Sequence, residues 1–166
     1  RRISAKLESL SAEKISDTRL TVDWFQFPGT VAGKEPWYLR VRKYGDGEAE
    51  ISWKGESVTL GKSRRHKEIN IDVSDFEKAK DLLIALGLEN YAHQEKDRKS
   101  WTYKDWRFDL DQYPGMPAYL EIEGKDENHI GEALKLLGLE NNKTWSGGER
   151  VLIKQEYGLD WNSMRF

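Results

Sequence analysis

The chain has 166 residues, enough for one domain with its own buried core. Its 27 lysines and arginines face 29 aspartates and glutamates, and this net charge of −2 argues against a general nucleic-acid or acidic-membrane binder. No cysteine is present, which excludes a disulfide framework, a thiolate zinc site and a cysteine nucleophile, and suits a reducing cytoplasm, the expected location.

In chain order, the sequence opens on Arg1-Arg2 instead of Met, and Ala5–Glu13 has helical spacing, as if the chain began inside a structural element. Strand-like runs then follow at Leu20–Phe27, Trp37–Tyr44, Ala49–Lys54 and Glu68–Val73, punctuated by Pro28-Gly29 and Gly45-Asp46-Gly47. A helix is predicted from Asp75, with Ser74 and Glu77 at capping-box spacing and Gly87 at its end. Its apolar stretch, Leu82 to Leu88, is too short to span a bilayer, and no membrane partner is expected. More strands are predicted at Glu95–Tyr103, Trp106–Asp111 and Tyr119–Glu123. The segment Ile130–Asn141 then repeats the Leu-Gly-Leu-Glu-Asn ending of the earlier helix, and a last helix is predicted from Ser146, with Glu149 closing a capping box. The fold class is α+β, strand-dominated, with helices outside.

The strands carry a charge pattern. Residues two apart share a strand face, so Arg40 and Arg42 oppose Leu39 and Val41, and Lys54 opposes Ile51 and Trp53. Glu68 opposes Ile69 and Ile71, Asp109 and Asp111 oppose Phe108 and Leu110, and Glu121 and Glu123 oppose Leu120 and Ile122. Lys96 and Arg98 form one more same-face pair. An antiparallel sheet with one wet face explains any one of these strands, but the pairs segregate by sign. Apolar residues facing helices and charges facing inward describe a barrel with a charged lumen, which needs a charged ligand to offset the cost of burying charge. Rows of Arg and Lys suit a polyphosphate, and converging carboxylates suit Mg²⁺ or Mn²⁺.

The stretch Trp37–Asp46, the strand Glu50-Ile-Ser-Trp-Lys-Gly55 and Tyr119-Leu-Glu-Ile-Glu-Gly124 resemble the CYTH family, the triphosphate tunnel metalloenzymes. That family includes class IV adenylyl cyclases, thiamine triphosphatases and inorganic tripolyphosphatases. The resemblance runs from about residue 5 to 125 and more loosely to the C-terminus, and implies an eight-stranded antiparallel β-barrel binding a triphosphate along basic walls. By position, Arg40, Arg42, Lys54, Lys96 and Arg98 would hold phosphate, Asp111, Glu121 and Glu123 would ligate metal, and Glu68 would either ligate metal or orient a basic neighbour. Asp109 is a weaker candidate, His66, His93 and His129 are set aside as structural or surface groups, and no catalytic residue is singled out. The family's first strand, Glu-x-Glu-x-Lys, has no counterpart before the first helix, so residues 1–166 read as one CYTH-like domain that is N-terminally incomplete.

The expected function is therefore a metal-dependent enzyme acting on a triphosphate small molecule (ATP, thiamine triphosphate or tripolyphosphate), by nucleotidyl cyclisation or by hydrolysis. A polyphosphate- or nucleotide-binding module without turnover is the alternative that an absent first strand favours. An RNA 5′-triphosphatase is the third; the near-zero net charge, with few basic runs beyond Lys62–Lys67, counts against a nucleic-acid partner. A homodimer is left open.

Overall fold

The computed structural model describes residues 2–31, 34–60, 63–145 and 147–166. Helix α1 (Arg2–Ser9) leads into the strands β1 (Glu13–Gln26), β2 (Tyr38–Tyr44), β3 (Ala49–Leu60) and β4 (Ser63–Val73). Helix α2 (Phe76–Ala85) is followed by β5 (Glu89–Tyr103), β6 (Trp106–Gln112) and β7 (Tyr119–Glu123), and the chain ends with α3 (Glu127–Leu137), α4 (Glu149–Tyr157) and the short β8 (Ser163–Met164). One eight-stranded sheet results, in the order β4-β3-β2-β1-β5-β6-β7, with β8 on β5. Every pairing is antiparallel except that of β8, which runs parallel beside His93 and Gln94.

The α+β class and the eight strands agree with the sequence pattern. Closure does not: among the described residues β4 and β7 each pair on one side only, so the sheet is open where a barrel was expected. β1 and β5 also begin earlier than predicted. Lys14–Arg19 holds a single apolar residue, the exposed Ile15, so no alternation marks it as a strand; its backbone is held instead by pairing from Glu13 opposite Thr102 to Arg19 opposite Asp97.

Three helices cover the outer face, as expected. On one half, Phe76, Ala79 and Leu83 of α2 pack on Phe25, Val41 and Ala49; on the other, Leu7 of α1 and Ala133 and Leu137 of α3 pack on Trp101, Trp106 and Phe108. The cap of α2 is Asp75, whose carboxylate accepts from the Lys78 amide at 3.0 Å, one residue later than the predicted Ser74. Gly87 and Gly138 close α2 and α3 with φ of 90° and 68°, the left-handed conformation that the Leu-Gly-Leu repeat requires.

The fourth helix departs from the expectation of helices outside. Ile153 of α4, with Trp161 and Met164 behind it, packs on Leu20, Val22 and Trp24, the opposite face of β1 from Phe25. Gln94 pins this segment, accepting from the Trp24 indole at 2.9 Å and donating to the Trp161 carbonyl at 2.8 Å. The apolar Leu20-Val22-Trp24 stripe on the inner face would face water if α4 lay outside. Ser146, the predicted start of this helix, lies outside the described residues, and Gly148 is the observed cap.

Candidate functional site

Directly opposed residues of antiparallel strands share a face. Arg40 lies opposite Trp24 and Ser52, Arg42 opposite Val22 and Glu50, and Lys54 opposite Tyr38 and Glu68. Lys96 lies opposite Leu20, Arg98 opposite Asp111, Asp109 opposite Glu121, and Arg107 opposite Glu123. All the residues singled out from the sequence therefore stand on the inner face, the face that α4 crosses.

They form two groups. In the first, on β5 to β7, Arg98 meets Asp111 through two hydrogen bonds of 2.6 Å, Asp109 at 2.8 Å and Glu121 at 3.2 Å. The Lys96 ammonium lies 2.8 Å from Asp111 and 3.2 Å from Glu149. Burial opposes the charge of Asp111, but the Arg98 hydrogen bonds and the Lys96 charge outweigh it and hold its pKa below the ordinary value. Arg98 shows the mirror effect: burial opposes its charge, yet the carboxylates around it raise its pKa. For Glu121 burial wins over Arg98 and raises its pKa.

In the second group, on β2 to β4, Arg42 pairs with Glu50 at 2.5 Å, and Lys54 pairs with Glu68 at 3.5 Å. Arg40 has no carboxylate within 4.0 Å among the described residues; its guanidinium lies 5.4 Å from the centre of the Trp24 ring, and its Nε has no hydrogen-bond partner. Burial, and then the Arg42 charge, push its pKa below the usual arginine value.

The four expected metal ligands do not come together. Asp111 and Glu121 gather on Arg98, Glu68 stays with Lys54, and Glu123 stands at the end of the face, where it lines a 430 Å³ hollow with Arg107 and Lys104. Oxygen donors of this kind suit Mg²⁺ or Mn²⁺, but among the described residues no three acidic or histidine side chains are placed to hold one ion. As arranged, the set does not fit a metal.

Two members of the site escape the sequence pattern. Glu149, from the first turn of α4, joins Lys96 across 53 positions of sequence. Tyr119, opposite Asp111, has its hydroxyl 3.3 Å from Asp111 and 3.2 Å from Glu149, and burial followed by these carboxylates keeps the phenol protonated and able to donate. The only sequence signal for Glu149 was its place in a capping box; Tyr119 shares the phase of Glu121. His93 stands outside the site on the α2 side, its Nδ1 2.7 Å from Asp23, and the side chain of His66 lies outside the described residues.

A family model described as the CYTH domain matches residues 1–145. Among solved structures, the chain is similar to the PH1012 protein of Pyrococcus horikoshii, with 25% identity, a TM-score of 0.67, and 83% of this chain and 84% of that one covered. It is similar in fold to a proposed adenylate cyclase of Vibrio parahaemolyticus, with 12% identity, a TM-score of 0.72, and coverage of 92% and 90%. It is also similar in fold to HpAC1 of Hippeastrum, a protein with a dominant triphosphatase activity, with 12% identity, a TM-score of 0.65, and coverage of 93% and 90%. Among curated proteins none matches. No helix among the described residues is long and apolar enough to cross a membrane.

Proposed function

The chain belongs to the CYTH domain family, and on that premise we propose that it is an enzyme that cleaves a triphosphate small molecule held along the inner face. Membership supports triphosphate-related chemistry. The observation that carries the proposal is the pair Arg40 and Arg42, side by side on β2 with one close carboxylate between them among the described residues. Such a pair lacks anionic charge, and phosphate oxygens supply it in bidentate geometry.

In the proposed reaction Arg40, Arg42 and Lys96 neutralise the non-bridging oxygens of the chain and so lower the cost of charge building on the leaving phosphate. Arg98, held by three carboxylates, acts as the fixed post of the site more than as a free phosphate ligand. Divalent-metal dependence, on Mg²⁺ or Mn²⁺, is general for the family, but the carboxylates are closed on Arg98 and as arranged do not fit an ion, so no step is assigned to one. Hydrolysis is favoured over class IV cyclisation because the face displays phosphate-directed cations, and hydrolysis needs no nucleoside contact.

The test is an assay of the protein with tripolyphosphate, thiamine triphosphate and ATP, each with Mg²⁺ and with Mn²⁺, following phosphate release and cyclic AMP. Phosphate release that is lost in Arg40→Gln is the expected outcome. Cyclic AMP as the main product makes the protein a cyclase, and binding without turnover makes it a polyphosphate-binding module. No binding of any triphosphate overturns the proposal.

A further inference from the structure

Glu149 reaches the charged face from outside the sheet. Its carboxylate lies 3.2 Å from the Lys96 ammonium and 3.2 Å from the Tyr119 hydroxyl. With Asp111 on its other side, the Lys96 side chain is only 7% exposed. The helix behind Glu149 is tied down by Arg150, which pairs with Glu35 at 2.8 Å, and by Ile153 in the apolar cluster. A helix-borne carboxylate therefore occupies a cation that an anionic ligand would claim, whereas Arg40, two strands away, has no carboxylate within 4.0 Å among the described residues.

We propose that Glu149 is a displaceable counter-ion that makes α4 respond to the length of the phosphate chain, an inference that rests on the triphosphate assignment above. β2 and β5 are separated by β1, so Arg42 and Lys96 rise from strands roughly 10 Å apart. A single phosphate settles on Arg40 and Arg42 and leaves Glu149 where it is. A chain of three phosphates extends toward Lys96 and competes with Glu149 for the ammonium. When it wins, the tie between α4 and the sheet is reduced to the Tyr119 hydroxyl, Arg150 and the apolar contacts, and the helix loosens. When cleavage shortens the chain, Glu149 returns to Lys96 and helps expel the product. Glu149 is thus a specificity-determining residue that touches the ligand's cation and not the reacting phosphorus.

Calorimetry with tripolyphosphate and with orthophosphate, on the wild type and Glu149→Gln, tests the competition. Hydrogen exchange of the amides of α4, with and without tripolyphosphate, tests the loosening. The variant is expected to bind tripolyphosphate about tenfold more tightly, equivalent to about 1.4 kcal/mol, and orthophosphate less than about twofold more tightly. In the wild type, tripolyphosphate should speed exchange in α4 and orthophosphate should not. Glu149→Asp, which keeps the charge and shortens the reach, should show an intermediate gain and guards against a misfolded amide variant. Equal gains for both ligands would reduce Glu149 to a general field effect, and unchanged or slower exchange in α4 on binding would remove the displacement. Either result overturns the inference and leaves the triphosphate assignment intact. If neither protein binds tripolyphosphate, the assignment itself fails, and the inference falls with it.

Discussion

The two halves of the inner face handle charge in opposite ways. On β5 to β7 the cations are matched: Arg98 holds three carboxylates, and Lys96 lies between Asp111 and Glu149. Asp111 and Asp109 can be buried to 0% and 2% exposure only because of this. On β2 the balance is missing: Arg42 has Glu50, but Arg40 has an indole face and no close carboxylate among the described residues. Self-neutralised charge builds the fold, whereas unmatched charge waits for a ligand. The same residue type, arginine on a strand, thus has two different jobs within one sheet.

The largest expected effect breaks the matched half. Arg98→Met leaves Asp109 and Asp111 buried, with Arg107, Lys96 and the Tyr119 hydroxyl to meet them among the described residues. Loss of a buried partner should cost about 3 kcal/mol in urea unfolding. Arg40→Met, on the unmatched half, should change stability by less than about 1 kcal/mol. Equal losses for the two would erase the distinction between the halves.

Acid should expose the same contrast. The pKa of Asp111 lies below its unfolded value, so its contribution is fully present above that value and is lost as the pH falls through the folded pKa. Asp111→Asn should therefore be destabilised at neutral pH, with the gap to wild type closing toward the acid limit of an unfolding series. A gap that stays constant with pH would show that Asp111 stabilises by packing alone.

Ligand binding should reverse the ranking of the halves. Arg40→Gln, nearly silent in stability, should weaken tripolyphosphate by about 1.5–3 kcal/mol, or roughly 10- to 100-fold. Calorimetry reads this directly, and an unchanged affinity would move the ligand off β2.

These contrasts were partly visible in the sequence. Period-two alternation placed Arg40, Arg42, Asp109, Asp111 and Glu121 on one face, because a strand with one apolar side announces its other side. Alternation states the face of a residue but not its partner. That Arg98 gathers three carboxylates depends on the register of β5, β6 and β7, which no single strand encodes. Lys14–Arg19 was invisible as strand because its single apolar residue, Ile15, gives no alternation. The open edges and the inner position of α4 were also beyond local pattern: Leu20, Val22 and Trp24 showed that one side of β1 was apolar, but not that the last helix would cover it.

The smallest effect tests whether any carboxylate of the matched half is surplus. Glu121 meets Arg98 at 3.2 Å, the longest of that arginine's contacts, and its side chain is 49% exposed. Burial outweighs Arg98 and raises its pKa, so the folded protein holds this proton more tightly than the unfolded chain does. For an acid with a raised pKa, stability falls as the pH rises from the unfolded toward the folded value, and the ionised form is a small liability above it. Glu121→Gln should therefore unfold at a slightly higher temperature than wild type at neutral pH, a gain kept below about 1 kcal/mol by solvent screening. The advantage should vanish below the unfolded pKa, the opposite slope to that of Asp111→Asn. If Glu121→Gln instead loses stability at neutral pH, all three carboxylates on Arg98 are structural, and none is left over for a ligand or its metal.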